Sequence, residues 1–388
     1  MIKQPPMACR TVLPAGAFDA FGTDHNGTGR CGHAMRWAPG RAGPGLPPRG
    51  TCWSGSGGLE STAGLKPLAG GHPIWHGPSP MGTWPRCVDQ PQDSLEPPMR
   101  TLTLVHGRGQ QGREPDALRQ RWAAGLNKGL TAAGRDPLDS AAIDAIGFPF
   151  YGDVLWAAVV QARAAVPDVA ALDAVQQVDP GLPDAVNRRQ VAVLQAMARE
   201  LGFEAEVAPE AALAVPSSAL LRGLLEWVAN HSGVDEAVIR GWLRDVSAYL
   251  ELPGCRAVVQ EVVRPALLAD PAWVLVGHSL GAVVCAELLA EDEVRARAGL
   301  FVAVGAPLGL DGVTDGMRPR NSSRPTSPWV NVYDPRDWVA LGSPLPRGGG
   351  LREQLAVANP RSYEHSIEHY LAHPQVATTI ADALDAET

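Results

Sequence analysis

Residues 273–290, WVLVGHSLGAVVCAELLA, hold the pattern that decides the fold. Trp273-Val274-Leu275-Val276 is a short apolar run, which is typical of a buried strand. A turn of the form Gly-x-Ser-x-Gly follows at 277–281, and residues 282–290 favour a helix. A strand, a tight turn and a helix in this order predict one unit of a parallel sheet covered by helices.

The turn at 277–281 predicts a nucleophilic serine. Gly-x-Ser-x-Gly between a strand and a helix is the setting of a nucleophile elbow. Gly277 and Gly281 carry no Cβ, so neighbouring backbone can pass close to them. The hydroxyl of Ser279 then stands at the first turn of a helix, where free N–H groups favour negative charge. We therefore expect Ser279 to be the nucleophile of a hydrolase.

Composition narrows the function classes. The chain has 388 residues, a 45% hydrophobic content and a formal net charge of −8, and its sequence pI is about 5.7. This balance argues against a nucleic-acid-binding protein, which usually carries a basic stripe. No apolar run reaches the roughly 18 residues of a membrane span, and no signal peptide is recognisable at the start. We expect a cytoplasmic protein and leave its oligomeric state open.

Residues 1–98 differ in composition from the rest. Glycine and proline make up about a third of this segment, a fraction typical of chains that do not pack. The first hypothesis is a disordered extension of the domain at 99–388. The second is that Met99 is the natural start, because Met99-Arg100 leads directly into a strand pattern.

Strand and helix patterns alternate from Met99 onward. Strands are predicted at Thr101–Val105, 143–150, 272–277, 299–304 and 328–333, and helices at 114–134, 184–201, 217–231, 234–251 and 374–386. Such alternation predicts an α/β protein with a doubly wound, mostly parallel sheet and helices on both faces. Residues 153–265 are mostly helical, and we interpret them as a helical cap inserted before the nucleophile strand.

A serine needs a base within hydrogen-bond reach, and the base needs an orienting group. In folds with this elbow the partners follow in the order serine, acid, histidine. Two acids occur in the loop after the predicted strand at 328–333. We favour Asp337 over Asp334, because Asp334 precedes Pro335 and could start a turn. An ordinary surface role for both remains an alternative.

The base is expected before the last helix, in the stretch SYEHSIEHYL at 362–371. We favour His365, which lies at the end of the predicted loop, from which its ring can reach the serine. His369 follows four residues later and could already be helical, and His373 is a weaker third candidate.

The oxyanion of an acyl-transfer intermediate needs preorganised donors. One is expected to be the backbone N–H of Leu280, directly after the nucleophile. The other should come from the loop after the first strand, and we choose the N–H of Arg108. The side chain of His106 is expected to support this loop and not to take part in the reaction.

Two weaker patterns are candidates for a cofactor site and a metal site. Residues 107–112 match G-x-G-x-x-G, but no second strand ends near Asp136 or Asp139 to supply the acid of a dinucleotide site. His365 and His369 have the spacing of zinc ligands without a clear third partner. We therefore expect neither a cofactor nor a metal.

Other residue types invite a functional and an ordinary interpretation. Trp156, Trp227 and Trp242 could line an acyl pocket, but helix packing is the simpler role for each. Cys255 and Cys285 lie in the predicted domain, and we expect both as reduced thiols.

The motifs together show a family resemblance. His106-Gly107 at a strand end, Gly-His-Ser-Leu-Gly, the stretch NVYDPRDWVA at 331–340 and a histidine before Tyr370-Leu371 resemble the lipase/esterase branch of the α/β-hydrolase superfamily. The resemblance covers roughly residues 100–386 and implies a Ser-Asp-His triad, a helical cap and no cofactor. The chain departs from many members in that its insertion precedes the nucleophile strand.

The expected activity is hydrolysis of carboxylic esters, on a small-molecule or lipid substrate, through an acyl-enzyme. The first alternative is a thioesterase or an acyltransferase using the same triad. The second is a binding protein that has lost catalysis on the same scaffold.

Overall fold

Five parallel strands form the centre of the protein, in the spatial order β1-β2-β3-β4-β5. They are β1 (Thr101–Val105), β2 (Trp273–His278), β3 (Ala298–Val304), β4 (Trp329–Tyr333) and β5 (Leu351–Ala356). Every residue of β2 and β4 is buried. Aliphatic strands of this kind suit a parallel sheet whose two faces are both covered.

The computed structural model describes residues 100–166, 181–203, 218–269 and 273–386. The predictions for residues 1–98, including the start at Met99, lie outside these residues. So do the parts of the predicted cap at 167–180 and 204–217. In the described residues, no helix is long and apolar enough to cross a membrane.

Twelve helices accompany the sheet in the described part of the chain. They are α1 (Pro115–Ala132), α2 (Ser140–Asp144), α3 (Gly152–Ala164), α4 (Asp184–Glu200), α5 (Ser218–Ser232), α6 (Glu236–Glu251), α7 (Pro253–Ala269), α8 (Leu280–Leu288), α9 (Asp292–Arg295), α10 (Asp311–Thr314), α11 (Ile367–Leu371) and α12 (Pro374–Asp385). The six helices and four strands expected at α1, α4, α5, α6, α8, α12 and β1 to β4 are confirmed, with ends shifted by a few residues.

The strand pleat divides the core into two layers. On one face, Leu104 and Val276 pack with Trp122 and Leu126 of α1. On the other, Leu275 belongs to the cluster that contains α4, α6, α7 and α8. Successive side chains of a strand point to opposite faces, so a short apolar strand supports both layers. The architecture is α/β, with helices on both sides of an all-parallel sheet.

The predicted strand at 143–150 is wrong. Residues 140–144 form α2, because the side chain of Asp139 accepts a hydrogen bond from the N–H of Ala142 and starts a helix. Only Gly147 pairs with the sheet, through its N–H to Leu102 O and its carbonyl to Leu104 N. The segment at 143–150 therefore pairs with the edge of β1 at this one residue.

Strand β5 was not predicted from the sequence. This strand contains Arg352, Glu353 and Gln354, and most of its residues are exposed or half-buried. It pairs with β4 alone among the described strands. An edge strand of this composition has neither an apolar run nor regular alternation to reveal it.

In the expected doubly wound sheet, the strand order would reverse at a switch point. From β1 to β5 the order shows no reversal among the described strands. Among the described residues, the bridge at Gly147 is the one pairing on the edge of β1 opposite β2. The predicted cap begins with α3 and includes α4, α5, α6 and most of α7. Its last helix, α7, extends beyond residue 265 and packs against β1 and α8.

Candidate active site

Ser279 occupies a strained turn between β2 and α8. Its dihedral angles are φ 55° and ψ −125°, a conformation that costs a non-glycine residue free energy. Its N–H donates to Val304 O at 3.0 Å. A Cβ at Gly277 would lie 2.7 Å from Ala282 Cα, and one at Gly281 only 2.4 Å from Val105 O. The turn therefore needs both glycines.

The hydroxyl of Ser279 is the unsatisfied group of this turn. The residue is 1% exposed, and its Oγ has no hydrogen-bond partner among the described residues. A buried hydroxyl without a partner costs free energy. Such a group in a native protein calls for a specific explanation, and a reacting nucleophile is one.

His365 and Asp337 form a hydrogen-bonded pair. His365 Nδ1–H donates to Asp337 Oδ2 at 2.8 Å. The hydroxyl of Tyr370 donates to the same oxygen at 2.8 Å, and the N–H of Val339 donates to Oδ1 at 2.9 Å. The carboxylate is buried and held at both oxygens. It therefore fixes the ring of His365 with Nε2 free to accept a proton.

The pair lies beside Ser279. Gly305 follows Val304, the acceptor of the Ser279 N–H, and has φ +54°. A Cβ at Gly305 would come within 2.9 Å of Asp337 Oδ2 and 3.3 Å of His365 Nδ1. Ser279 follows β2, and the His365–Asp337 pair lies against Gly305 at the end of β3, so the three residues lie near the carboxyl ends of neighbouring strands, without a hydrogen bond between Ser279 Oγ and His365.

Asp334, the competing acid, has a different set of partners. It accepts hydrogen bonds from the side chain and N–H of Arg336 and from the N–H of Asn359. Burial opposes its ionisation, but these hydrogen bonds hold the pKa of Asp334 below its ordinary value. Its contacts tie the acid loop to the chain after β5, and it makes none with His365.

The competing histidines also have other neighbours. His369 lies in α11, where its ring packs against Tyr363 at 5.1 Å. His373 Nε2–H donates to Asn359 Oδ1 at 3.0 Å, and burial lowers the pKa of His373. Among the three candidates, His365 alone is hydrogen-bonded to a carboxylate in the described part of the chain.

Two residues of the site were not selected from the sequence, Tyr370 and His278. The Tyr370 hydroxyl accepts from the N–H of Asp334 at 2.9 Å, so it connects the two aspartates. His278 Nε2–H donates to the carbonyl of His365 at 3.0 Å. Burial, and next the neighbouring His365, lower the pKa of His278 well below its ordinary value. A neutral His278 therefore holds the backbone of His365. Both residues stand inside the motifs noted in the sequence, but local spacing does not show that either contacts His365 or Asp337.

The loop after β1 lies against the nucleophile. A Cβ at Gly107 would be 2.9 Å from Ser279 Cβ. The N–H groups of Arg108 and Leu280 donate to no other described residue. Leu280 is the first residue of α8, where helix geometry leaves the N–H without an acceptor. Both N–H groups that are expected to bind the oxyanion therefore have no acceptor among the described residues. Arg108 directly follows Gly107, and Leu280 directly follows Ser279.

His106 supports the loop, as expected. Its Nδ1–H donates to Gly107 O at 2.7 Å, and its Nε2 accepts from the N–H of Tyr151 at 3.0 Å. Burial lowers the pKa of His106 to about 4. The neutral ring is therefore a fixed part of the loop's hydrogen bonding at neutral pH.

Helix α6 borders the site. The indole rings of Trp242 and Trp338 are 5.5 Å apart, and Trp338 lies 6.3 Å from the ring of His365. Trp227 packs instead against Phe203 and His231, and Trp156 is 41% exposed on α3. Of the three tryptophans considered from the sequence, only Trp242 adjoins the site.

The loop at 107–112 and the residues of the possible metal site also lie in the described part of the chain. The glycines at 109 and 112 have positive φ in the loop before α1, while Asp139 caps α2 and lies at no strand end. No three His, Cys, Asp or Glu side chains of the described chain form a metal-binding cluster. Cys255 and Cys285 are free and buried, and burial raises the pKa of Cys255 to about 11.

The chain matches no protein-family model, and no curated protein matches it significantly. The assignment of the site therefore depends on its geometry and chemistry.

Proposed function

We propose that the protein is a serine hydrolase of carboxylic esters with an α/β-hydrolase fold. The observation that carries the proposal is Ser279 with its unpartnered hydroxyl, in a strained strand-to-helix turn beside the His365–Asp337 pair. The order of serine, acid and histidine along the chain, after β2, β4 and β5, supports the same fold.

The reaction follows from the positions of these groups. Ser279 Oγ attacks the acyl carbon while His365 Nε2 takes its proton, and Asp337 stabilises the resulting imidazolium. The N–H groups of Leu280 and Arg108 bind the oxyanion of the tetrahedral intermediate. His365 then protonates the leaving alcohol, and the acyl-enzyme forms. Water, activated by His365, releases the acid and restores Ser279.

Ser279→Ala tests the proposal. We expect a loss of at least about 10³-fold in kcat for p-nitrophenyl esters and no labelling by a fluorophosphonate, because a triad without its nucleophile retains only background catalysis. A series of acyl chain lengths, together with an acyl-CoA thioester, separates esterase, lipase and thioesterase activity. The melting temperature of the variant should stay close to that of the parent.

Ser327→Ala is the matched control. Ser327 is also a buried serine without a hydrogen-bond partner among the described residues, so its removal changes packing in a similar way. It should leave labelling and turnover unchanged. Persistent labelling of Ser279→Ala would contradict the proposal. A folded parent that takes no label and cleaves no ester would favour the binding-protein alternative.

A further inference from the structure

Arg108 is a charged residue in the loop that lies against the nucleophile. It directly follows Gly107, whose Cβ position would be 2.9 Å from Ser279 Cβ, and successive Cα atoms are about 3.8 Å apart. Its backbone N–H is one of the proposed oxyanion donors. The mechanism above makes no use of its guanidinium.

The guanidinium is held in place from α6. Arg108 Nε donates to Asp245 Oδ2 at 2.5 Å, and Asp245 is 5% exposed. A Cβ at Gly241, one helical turn earlier, would lie 3.3 Å from Arg108 Nη2. The missing side chain there gives the guanidinium room against the helix. A buried carboxylate and a glycine thus fix the orientation of this cation.

The two terminal nitrogens of the Arg108 guanidinium are available to bind a ligand. Arg108 bonds through Nε, and its Nη1 and Nη2 have no hydrogen-bond partner in the described part of the chain. Asp245 also accepts from Arg244 Nε at 2.8 Å. One carboxylate therefore faces two arginines and leaves one positive charge uncompensated. Two parallel N–H donors of arginine match the geometry of a carboxylate.

Helix α6 offers a second unused donor. Trp242, next to Gly241, is 2% exposed, and its indole N–H has no acceptor among the described residues. Its ring packs on Trp338, which in turn neighbours His365. One stretch of α6 thus contacts the guanidinium of Arg108 through Gly241 and, through the contact of Trp242 with Trp338, adjoins the ring of the proposed base.

We propose that Arg108 binds a carboxylate carried by the substrate, so that the site takes monoesters of dicarboxylic acids in preference to neutral esters. This inference rests on the proposed function, since it names the substrate class of the same site. The side chain of Arg108 is 17% exposed, and partial burial makes its attraction for an anion less subject to screening by salt.

The experiment compares two esters that differ in one charge, mono-p-nitrophenyl glutarate and its methyl ester. We expect the parent protein to show a kcat/KM at least about tenfold higher for the acid, mainly through KM, because hydrogen bonds to charged groups contribute this much. In Arg108→Gln the preference should fall at least about tenfold. That variant keeps the backbone N–H of the oxyanion site.

Arg244→Gln is the control. It removes the other arginine that is paired with Asp245, and the guanidinium of Arg244 lies over the ring of Trp156 at 5.4 Å. The preference should stay within about threefold of that of the parent. If the preference for the acid fell equally in both variants, it would come from the overall positive charge near the site and not from Arg108. That result would overturn the proposal.

Two further outcomes would also overturn it: a parent without preference for the acid, or an Arg108→Gln variant in which both esters decline equally. Fluorophosphonate labelling separates these results from a failure of the proposed function, since an unlabelled parent has no active Ser279. If the parent is labelled but cleaves neither ester, glutarate should protect it from labelling at lower concentration than dimethyl glutarate. Equal protection would contradict the proposal.

Discussion

Single residues of the site carry a conformational cost that the surrounding fold offsets. The dihedral angles of Ser279 cost on the order of 1–3 kcal/mol. Its N–H bond to Val304 O and the tight packing at Gly277 and Gly281 hold it there nonetheless. The result is a buried hydroxyl with a fixed position, and in the proposed reaction this would lower the cost of reaching the reactive geometry.

The two aspartates of the acid loop should separate in their effects. In Asp337→Asn, the partner of His365 loses its charge and can no longer stabilise the imidazolium, so we expect kcat to fall by about 10³-fold or more. Asp334→Asn should weaken the bond to Arg336, lowering the melting temperature while kcat stays within about tenfold of that of the parent. Ester turnover and thermal unfolding of both variants provide the measurement. A larger loss of turnover in Asp334→Asn than in Asp337→Asn would show that Asp334, and not Asp337, is the acid of the triad.

At the scale of elements, the position of His365 depends on how α11 packs against α1. Gly129 of α1 allows this contact, because a Cβ there would lie 2.4 Å from Leu371 O and 2.7 Å from Ala377 Cβ. The obstructing atoms include backbone, which has little freedom to move. Helix α1 therefore packs against the segment that follows His365 and supports its position.

Gly129→Ala should accordingly destabilise the protein by roughly 1–3 kcal/mol, since overpacking outweighs the gain in helix propensity. Gly223→Ala in α5 is the matched variant. No atom lies within 4 Å of its Cβ position, so it should stabilise by up to about 1 kcal/mol. Urea unfolding of both proteins measures the difference. Equal effects of the two substitutions would show that this helix contact is not tight.

For the whole molecule, two buried neutral histidines connect stability to pH. Burial lowers the pKa of His106 from 6.5 to about 4 and that of His278 well below its ordinary value. Below pH 6.5 the unfolded chain takes up protons that the folded protein does not bind. Their contribution to stability is therefore complete above pH 6.5 and is lost as the pH falls toward 4.

We predict that the free energy of unfolding declines between pH 6.5 and pH 4 by an amount on the order of a few kcal/mol from His106. His106→Asn should show a smaller decline over the same range, whatever its stability at pH 7. Burial raises the pKa of Glu287, which acts in the opposite direction in both proteins and cancels in the comparison. Denaturant unfolding at several pH values provides the test, and identical slopes would exclude His106 as the source.

The sequence by itself predicted those features that depend on neighbouring residues. The apolar run of β2, the glycines of the turn and the apolar start of α8 are contiguous, and together they specify the geometry of Ser279. Amphipathic helices such as α1 and α4 are recognisable for the same reason. The strand at 143–150 and the missed β5 show the limit, since both depend on what the sheet edge offers as a partner.

Only the tertiary structure decided which side chains meet. Asp334 and Asp337 lie three residues apart in one loop, and His365 and His369 lie four apart, so local pattern cannot separate them. The choice depends on contacts between distant segments: Asp337 with His365 and Tyr370, and Asp334 with Asn359. The tie between Arg108 and Asp245 spans 137 residues. Hydrogen bonds of a few ångströms between such distant residues depend on how whole elements pack, and no local stretch of sequence encodes that.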